Sequence, residues 1–212
     1  MTIRIGINGY GRIGRCVLRA IYENGDSQSI RVVAINEPAE HEAIAYLTRY
    51  DSTHGRFPGD VQLQNGCLLI NGDSITLLGE DKPEQINWAV HNVDVVLECT
   101  GICGTRAEAE RHIQAGAKRV LFSNPAANDI DATIVFGVNT ELLMPDHVAV
   151  SSASCTTNAI VPVIKVLDDA FGVESGGITP VLTAMNAPAV LDAFHPAAVR
   201  KPRAALSSLI PT

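Results

Sequence analysis

The stretch SASCTTN, residues 152–158, places Cys155 among hydroxyl and amide side chains, directly before an apolar run. At a helix N-terminus, free N–H groups and the helix macrodipole favour a thiolate, which is the nucleophilic form of cysteine. Ser154 and Thr156 place hydroxyl groups beside the sulfur, where they could bond an anionic substrate group. From these residues alone, a nucleophilic cysteine and a buried structural cysteine are both open.

A second stretch, GYGRIG, spaces Gly9, Gly11 and Gly14 as G-x-G-x-x-G. In a nucleotide-binding turn, the first glycine makes the tight turn, the second lets backbone approach a pyrophosphate, and the third lets helix and strand pack closely. Glu37 ends the next apolar run, close to the spacing of about 20 residues at which such folds place the acid that bonds a ribose. Its charge should repel a 2′-phosphate, so the sequence predicts NAD rather than NADP.

The elements that must position these residues alternate between β-rich and helical patterns. Strands are predicted at 3–8, 30–36, 93–100, 118–123, 133–138 and 147–152, and helices at 12–24, 41–50, 106–116 and from Cys155 to about residue 170. Residues 57–78 are predicted to form an antiparallel excursion, and 177–185 the first strand of a new domain. The alternation predicts an α/β fold with a doubly wound, mostly parallel sheet.

Composition excludes several classes of function. The 212 residues carry a net charge of −7, so bulk attraction to nucleic acid or to an anionic membrane is not expected. The first residues form a strand pattern rather than a signal peptide, and no run is apolar enough to span a bilayer. Five cysteines without a disulfide or paired CxxC spacing predict a cytoplasmic protein, and no metal site is expected.

Five segments together resemble the glyceraldehyde-3-phosphate dehydrogenase superfamily. They are INGYGRIGR, YDSTHGRF, ECTG, AGAKRVLFS and SASCTTN, and the resemblance runs from residue 1 to about residue 180. Within the superfamily, INE, SNPAANDIDATIVFGVN and VIKVLDDAFGVESG are most similar to erythrose-4-phosphate dehydrogenase. The resemblance implies a Rossmann NAD-binding domain at residues 1–152, followed by the N-terminal part of an α+β catalytic domain at 153–212.

The resemblance also implies roles for individual residues. Cys155 would be the nucleophile, and Ser154, Thr156 and Arg200 would bind the substrate phosphate. The residues matched to NAD binding are Gly9, Gly11, Arg12, Ile13, Gly14, Glu37, Thr100, Gly101 and Ser123. The implied activity is NAD-dependent oxidation of D-erythrose 4-phosphate to 4-phosphoerythronate through a cysteine thioester, on the route to pyridoxal phosphate. The partner would be a small sugar-phosphate aldehyde, and the intact family member a homotetramer.

Two features depart from the family. The histidine that serves the family as base aligns with Leu182, whose side chain cannot accept a proton. The family also continues well beyond Thr212. These departures predict a truncated or altered member, or a natural relative without full activity. The alternative enzyme is a phosphorylating glyceraldehyde-3-phosphate dehydrogenase, and the two departures favour an alternative of another class, a non-catalytic NAD-binding module.

Overall fold

The computed structural model describes residues 2–183, 203–204 and 207–210. The chain divides into two compact units, Met1–Gly172 and Val173–Thr212. The described part of the second unit contains no helix and no strand. The domain boundary between residues 152 and 153 stays a prediction.

The first unit contains four α-helices, three short 3₁₀ helices and eleven strands in its described residues. The α-helices are α1 (Arg12–Glu23), α2 (His41–Arg49), α3 (Arg106–Gln114) and α4 (Cys155–Phe171). The strands are β1 (Ile3–Asn8), β2 (Ile30–Asn36), β3 (Tyr50–Asp51), β4 (Gly55–Arg56), β5 (Val61–Gln64), β6 (Cys67–Ile70), β7 (Asp73–Leu78), β8 (Val95–Glu98), β9 (Arg119–Phe122), β10 (Ala132–Thr133) and β11 (Ala149–Ser151).

Nine of these strands form one sheet in the order β10-β11-β9-β8-β1-β2-β7-β6-β5. Neighbouring strands are parallel from β10 to β7, whereas β6 runs antiparallel to both β7 and β5. The predicted mostly parallel sheet and its antiparallel excursion are therefore confirmed. Because β1, β2, β8 and β11 are parallel, their carboxyl ends meet at one edge of the sheet, which is where α/β folds bind ligands.

Apolar clusters cover both faces of the sheet. Ile5 and Ile7 on β1 belong to one cluster, with Leu18 of α1 packed among them. Gly6, between the two isoleucines, faces Trp88 of the other cluster, and a Cβ there would lie 2.6 Å from the indole ring. The alternation follows from the period of two along a strand. Helix α1 ends at Glu23 with Asn24 as its C-cap, because Gly25 takes a left-handed φ of 79° that stops a helix.

Two strand predictions were wrong in extent. The strand predicted at 133–138 is only the two residues of β10 and ends at Thr133, because Gly137 has a φ of 76° and the Asn139 side chain accepts from the Val135 N–H. In the segment predicted as a strand at 177–185, the described residues 177–183 form none. Pro180 there lacks the N–H that a ladder needs. Residues 184–185 lie outside the described residues.

Candidate active site and nucleotide groove

A cavity of about 300 Å³ opens at the carboxyl ends of β1, β2 and β8. We call it the groove. It is lined by Asn8, Gly9, Gly11, Asn36, Glu37, Pro38, Glu80, Asp81, Pro83, Cys99, Thr100, Ile102 and Cys103. The groove thus forms at the sheet edge where the glycine turn leaves β1, as the G-x-G-x-x-G spacing predicts.

The three glycines of the turn meet different demands. A Cβ on Gly9 would lie 2.6 Å from the Thr100 backbone nitrogen, and Gly9 has a φ of 87° that L side chains rarely adopt. A Cβ on Gly14 would overlap the carbonyl oxygen of Gly9. At Gly11, by contrast, a Cβ would meet no heavy atom within 4 Å, so Gly11 leaves open space in the groove wall. Open space at the second glycine, beside the N-terminus of α1, fits a pyrophosphate.

Glu37 is fixed in place by the glycine turn. Its Oε2 accepts a 2.6 Å hydrogen bond from the Tyr10 N–H, and its own N–H donates to the Leu78 carbonyl. Glu80 and Asp81 line the groove beside it. This end of the groove therefore presents carboxylates, which suits ribose hydroxyls and disfavours an added phosphate.

Arg12 and Ile13 begin α1 beyond the groove wall, and both are exposed. The Arg12 guanidinium forms an ion pair with Asp51, whose side chain is buried. The N–H of His54 lowers the pKa of Asp51 to about 2, helped by the Thr53 N–H and by Arg12 and opposed by burial. Asp51 thus ties the first turn of α1 to the β3–β4 loop.

The remaining residues matched to NAD binding lie around the groove. Thr100 lines it, together with Gly9, Gly11 and Glu37, whereas Gly14 packs beneath the turn. Gly101 is exposed beyond Thr100. Ser123 follows β9, and its N–H donates to the Glu98 carbonyl at 3.0 Å. Arg12, Ile13, Gly14, Gly101 and Ser123 are not among the groove-lining residues.

Cys155 is the first residue of α4 and is exposed. The predicted helix N-terminus is therefore confirmed. Ser154 is the N-cap, and its Oγ accepts from the Thr157 N–H at 3.0 Å. The Asn158 amide donates to the carbonyls of Ser152 and Ser154 at 2.6 and 2.9 Å. Before the cap, Ala153 has a φ of 62°, a strained conformation of the kind that clusters at functional sites.

Thr156 Oγ1 lies 4.0 Å from the Cys155 sulfur, so its hydroxyl stays beside the thiol. Leu182 belongs to the second unit and is 46% exposed. Arg200 lies outside the described residues. The roles predicted for Ser154, Thr156, Leu182 and Arg200 therefore stay predictions.

Two other cysteines line the groove. Burial chiefly raises the pKa of Cys99 and the pKa of Cys103, each to about 11. Both are therefore thiols at neutral pH, which makes them poor nucleophiles. All five cysteines are free.

Three polar residues near the groove were missed as site residues. Glu98, Asn8 and Asn36 are buried at the carboxyl ends of β8, β1 and β2, and they form a hydrogen-bonded group. A signal was present in the sequence, since Asn8 and Asn36 each end a predicted strand and Glu98 follows the apolar run of the strand predicted at 93–100.

Comparison with known families yields two matches. Residues 3–106 match the family model described as the glyceraldehyde 3-phosphate dehydrogenase NAD binding domain. Residues 154–212 match the model described as the glyceraldehyde 3-phosphate dehydrogenase C-terminal domain. Together the two ranges cover most of the chain. No helix among the described residues has both the length and the apolar character needed to cross a membrane.

Proposed function

Since the chain belongs to the NAD-dependent glyceraldehyde 3-phosphate dehydrogenase family, we propose that it oxidises a sugar-phosphate aldehyde, D-erythrose 4-phosphate, at Cys155. The observation that carries the proposal is the position of Cys155. It is an exposed thiol at the start of α4, and α4 leaves the same sheet edge that holds the groove. A nucleophile and a cofactor site are thereby brought to one end of the sheet.

NAD bound in the groove would accept a hydride from the substrate. The turn at Gly9 and Gly11 would hold the pyrophosphate, and Glu37 the adenosine ribose. Ser154, Asn158 and the left-handed Ala153 fix the backbone around the thiol. A fixed nucleophile lowers the barrier, because positioning replaces a bimolecular encounter.

The reaction proceeds in two covalent stages. The Cys155 thiolate adds to the aldehyde carbon and forms a C–S bond, giving a thiohemiacetal. Loss of a hydride and of the hydroxyl proton gives a thioester. Water then attacks the thioester carbonyl, the C–S bond breaks, and 4-phosphoerythronate and the thiolate are released. Aldehyde, NAD⁺ and water thus give acid, NADH and a proton.

The choice of aldehyde rests on sequence similarity. INE, SNPAANDIDATIVFGVN and VIKVLDDAFGVESG are most similar to erythrose-4-phosphate dehydrogenase. The alternative substrate is glyceraldehyde 3-phosphate, with inorganic phosphate attacking the thioester in place of water. The resemblance to the family supports a homotetramer for the intact family member, and the cysteine pattern supports a cytoplasmic setting.

Leu182 argues for slow turnover. Its side chain can neither accept the hydroxyl proton nor pair with the Cys155 thiolate, and general acid–base help is worth about 10²–10⁴ in rate. This departure also favours the second candidate function, an NAD-binding module without catalysis.

The test is NADH formation by the full chain from each aldehyde, with and without inorganic phosphate. We expect slow oxidation of D-erythrose 4-phosphate without phosphate, abolished by Cys155→Ser. Leu182→His should raise the rate by at least about a hundredfold, whereas Leu182→Asn, which is polar but not basic, should not. NAD binding with no NADH formation, even in Leu182→His, would exclude the dehydrogenase and favour the module. Faster oxidation of glyceraldehyde 3-phosphate with phosphate would overturn the substrate choice.

A further inference from the structure

Glu98 is a buried carboxylate beneath the groove. Its side chain is fully buried at the end of β8. Oε2 accepts from Asn8 Nδ2 at 2.6 Å and from His112 Nε2 at 3.0 Å. Oε1 accepts from the Thr100 N–H at 2.9 Å and from the Thr100 hydroxyl. Four hydrogen bonds therefore converge on one side chain.

The direction of the bond from His112 is fixed by Trp88. The indole Nε1–H of Trp88 donates to His112 Nδ1 at 3.0 Å, and an indole nitrogen can only donate. Nδ1 must therefore present its lone pair. The imidazole proton then lies on Nε2, which donates to Glu98.

The direction of the bond from Asn8 is fixed by the backbone of Glu80. Its N–H donates to Asn36 Oδ1 and its carbonyl accepts from Asn36 Nδ2, both at 2.8 Å. Asn36 Nδ2 therefore also donates to Asn8 Oδ1, at 2.8 Å. The amide of Asn8 must then turn its NH₂ group toward Glu98.

Glu98 is consequently surrounded by donors. Of its four hydrogen-bond partners, the Asn8 amide, the His112 Nε2–H and the Thr100 N–H can only donate to Glu98, and only the Thr100 hydroxyl could also accept. Burial raises the pKa of Glu98, but the hydrogen bonds from His112, Thr100 and Asn8 outweigh it and leave the pKa below its usual value. Glu98 is a carboxylate whose charge is held by neutral dipoles.

The two ends of this group both belong to the lining of the groove. Asn8 lies in register with both Glu98 and Asn36 across the sheet, and it directly precedes Gly9. Thr100 presses against Gly9 from the other side, as the 2.6 Å from its nitrogen to a Cβ at Gly9 shows. Asn8, Asn36 and Thr100 all line the groove, whereas Glu98 does not.

We propose that Glu98 is a positioning residue for NAD binding, which holds the start of the glycine turn through Asn8 and the segment after β8 through Thr100. The proposal rests on the assignment of the groove to NAD, and it requires no catalysis. Glutamine at position 98 would disrupt this hydrogen-bonded group. In either orientation of its amide, the NH₂ group would face an N–H donor, that of Thr100 or those of Asn8 and His112.

The test is calorimetric titration of NAD into the full chain carrying Glu98→Gln, with Asp131→Asn as the matched control. Asp131 is a second carboxylate, directly before β10, that accepts backbone N–H bonds from Val148 and Ala149, and it lies outside the groove. Glu98→Gln should weaken NAD binding by at least about tenfold, equal to 1.4 kcal/mol. Asp131→Asn should bind NAD like the wild type, even if it unfolds at a lower temperature.

The indole resonance of Trp88, the single tryptophan of the chain, supplies a second readout. Its N–H signal should move in Glu98→Gln, since the His112 imidazole then faces a neutral amide instead of a carboxylate on its Nε2 side, and should stay in place in Asp131→Asn. Unchanged NAD affinity in Glu98→Gln, or an equal loss in Asp131→Asn, overturns the proposal.

Replacements of His112, which does not touch the groove, decide the question if Glu98→Gln fails to fold. His112→Leu removes a donor and should weaken NAD binding. His112→Gln can still donate to Glu98 and accept from Trp88, so it should restore most of the affinity. Equal NAD affinities for His112→Leu and the wild type, or for His112→Leu and His112→Gln, also overturn the proposal, because hydrogen bonding would then not set the groove.

Discussion

Gly11 and Gly14 belong to one turn, yet replacing each by alanine should have a different effect. We expect Gly11→Ala to weaken NAD binding and Gly14→Ala to lower the stability of the fold. Gly11 is the N-cap of α1, with φ and ψ of −71° and −152°, which alanine adopts freely. A Cβ there meets no heavy atom within 4 Å and projects into the groove wall. A Cβ on Gly14 instead overlaps the Gly9 carbonyl oxygen and lies 3.2 Å from Ile7 Cγ2.

The magnitudes follow from these contacts. Overpacking costs about 1–3 kcal/mol, and a backbone oxygen cannot rotate away, so Gly14→Ala belongs at the upper end. The higher helix propensity of alanine returns about 1 kcal/mol. The net loss of about 2 kcal/mol should lower Tm by about 4–8 °C in a chain of this length. Gly11→Ala should cost less, about 0.5–1 kcal/mol, since glycine is preferred to alanine at an N-cap.

The assays are thermal unfolding followed by circular dichroism and calorimetric titration with NAD. Gly11→Ala should lower Tm by no more than about 4 °C yet bind NAD at least about tenfold more weakly, because its Cβ stands where the pyrophosphate approaches. In Gly14→Ala, the main effect should be the loss of stability. Wild-type NAD affinity in Gly11→Ala would show that the pyrophosphate does not approach the second glycine, and the assignment of the groove would be wrong.

Three further outcomes follow from the site. Glu37→Gln keeps an acceptor for the Tyr10 N–H but removes a negative charge. Calorimetry should then show the affinity for NADP rising several-fold relative to that for NAD, since two unit charges 4 Å apart in water repel by about 1 kcal/mol. An unchanged ratio of the two affinities would show that Glu37 does not set the preference for NAD. Iodoacetamide should modify Cys155 before Cys99 and Cys103, because the pKa of about 11 of the latter two leaves only about one of their thiols in a thousand ionised at pH 8. Mass spectrometry that found Cys99 or Cys103 modified first would contradict this. For Asp51, the folded-state pKa of about 2 lies below the pKa in the unfolded chain, so the carboxylate stabilises the fold above the unfolded-state pKa and this stabilisation is lost as pH falls toward 2. Denaturant unfolding should show the wild type more stable than Asp51→Asn at pH 7 and equally stable near pH 2. A difference in stability that stays constant with pH would contradict this.

The parts of the fold that local sequence determines were predicted. Helix α1, the parallel strands and the glycine turn follow from spacing along the chain, because each depends on residues only a few positions apart. Cys155 at the start of α4 is of the same kind, since Ser154 and Thr157 are neighbours in sequence. Such elements can be predicted without knowing which residues pack against them across the sheet.

The missed features depend on partners that are distant in sequence or on side chains that fold back. Asn8 meets Glu98 across 90 positions, through a strand register that apolar periodicity does not reveal. The strand predicted at 133–138 looked continuous because TIVFGV is apolar and β-branched. The side chain of Asn139 takes the Val135 N–H, so the chain turns instead.

The polar residues around Cys155 and those around Glu98 both fix the backbone of the site through hydrogen bonds within the protein. A hydroxyl beside a thiol suggests direct contact with substrate, yet the Ser154 oxygen bonds the Thr157 N–H and hydroxyl, and the Asn158 amide bonds two carbonyls of its own turn. These groups determine where the sulfur sits, and they allow Ala153 to keep its left-handed φ. A site that must hold a cofactor and a nucleophile at one sheet edge gains more from rigid walls than from extra contacts, because error in either position lowers the rate. Activity should therefore be as sensitive to the buried donors and caps as to the residues that touch the ligands.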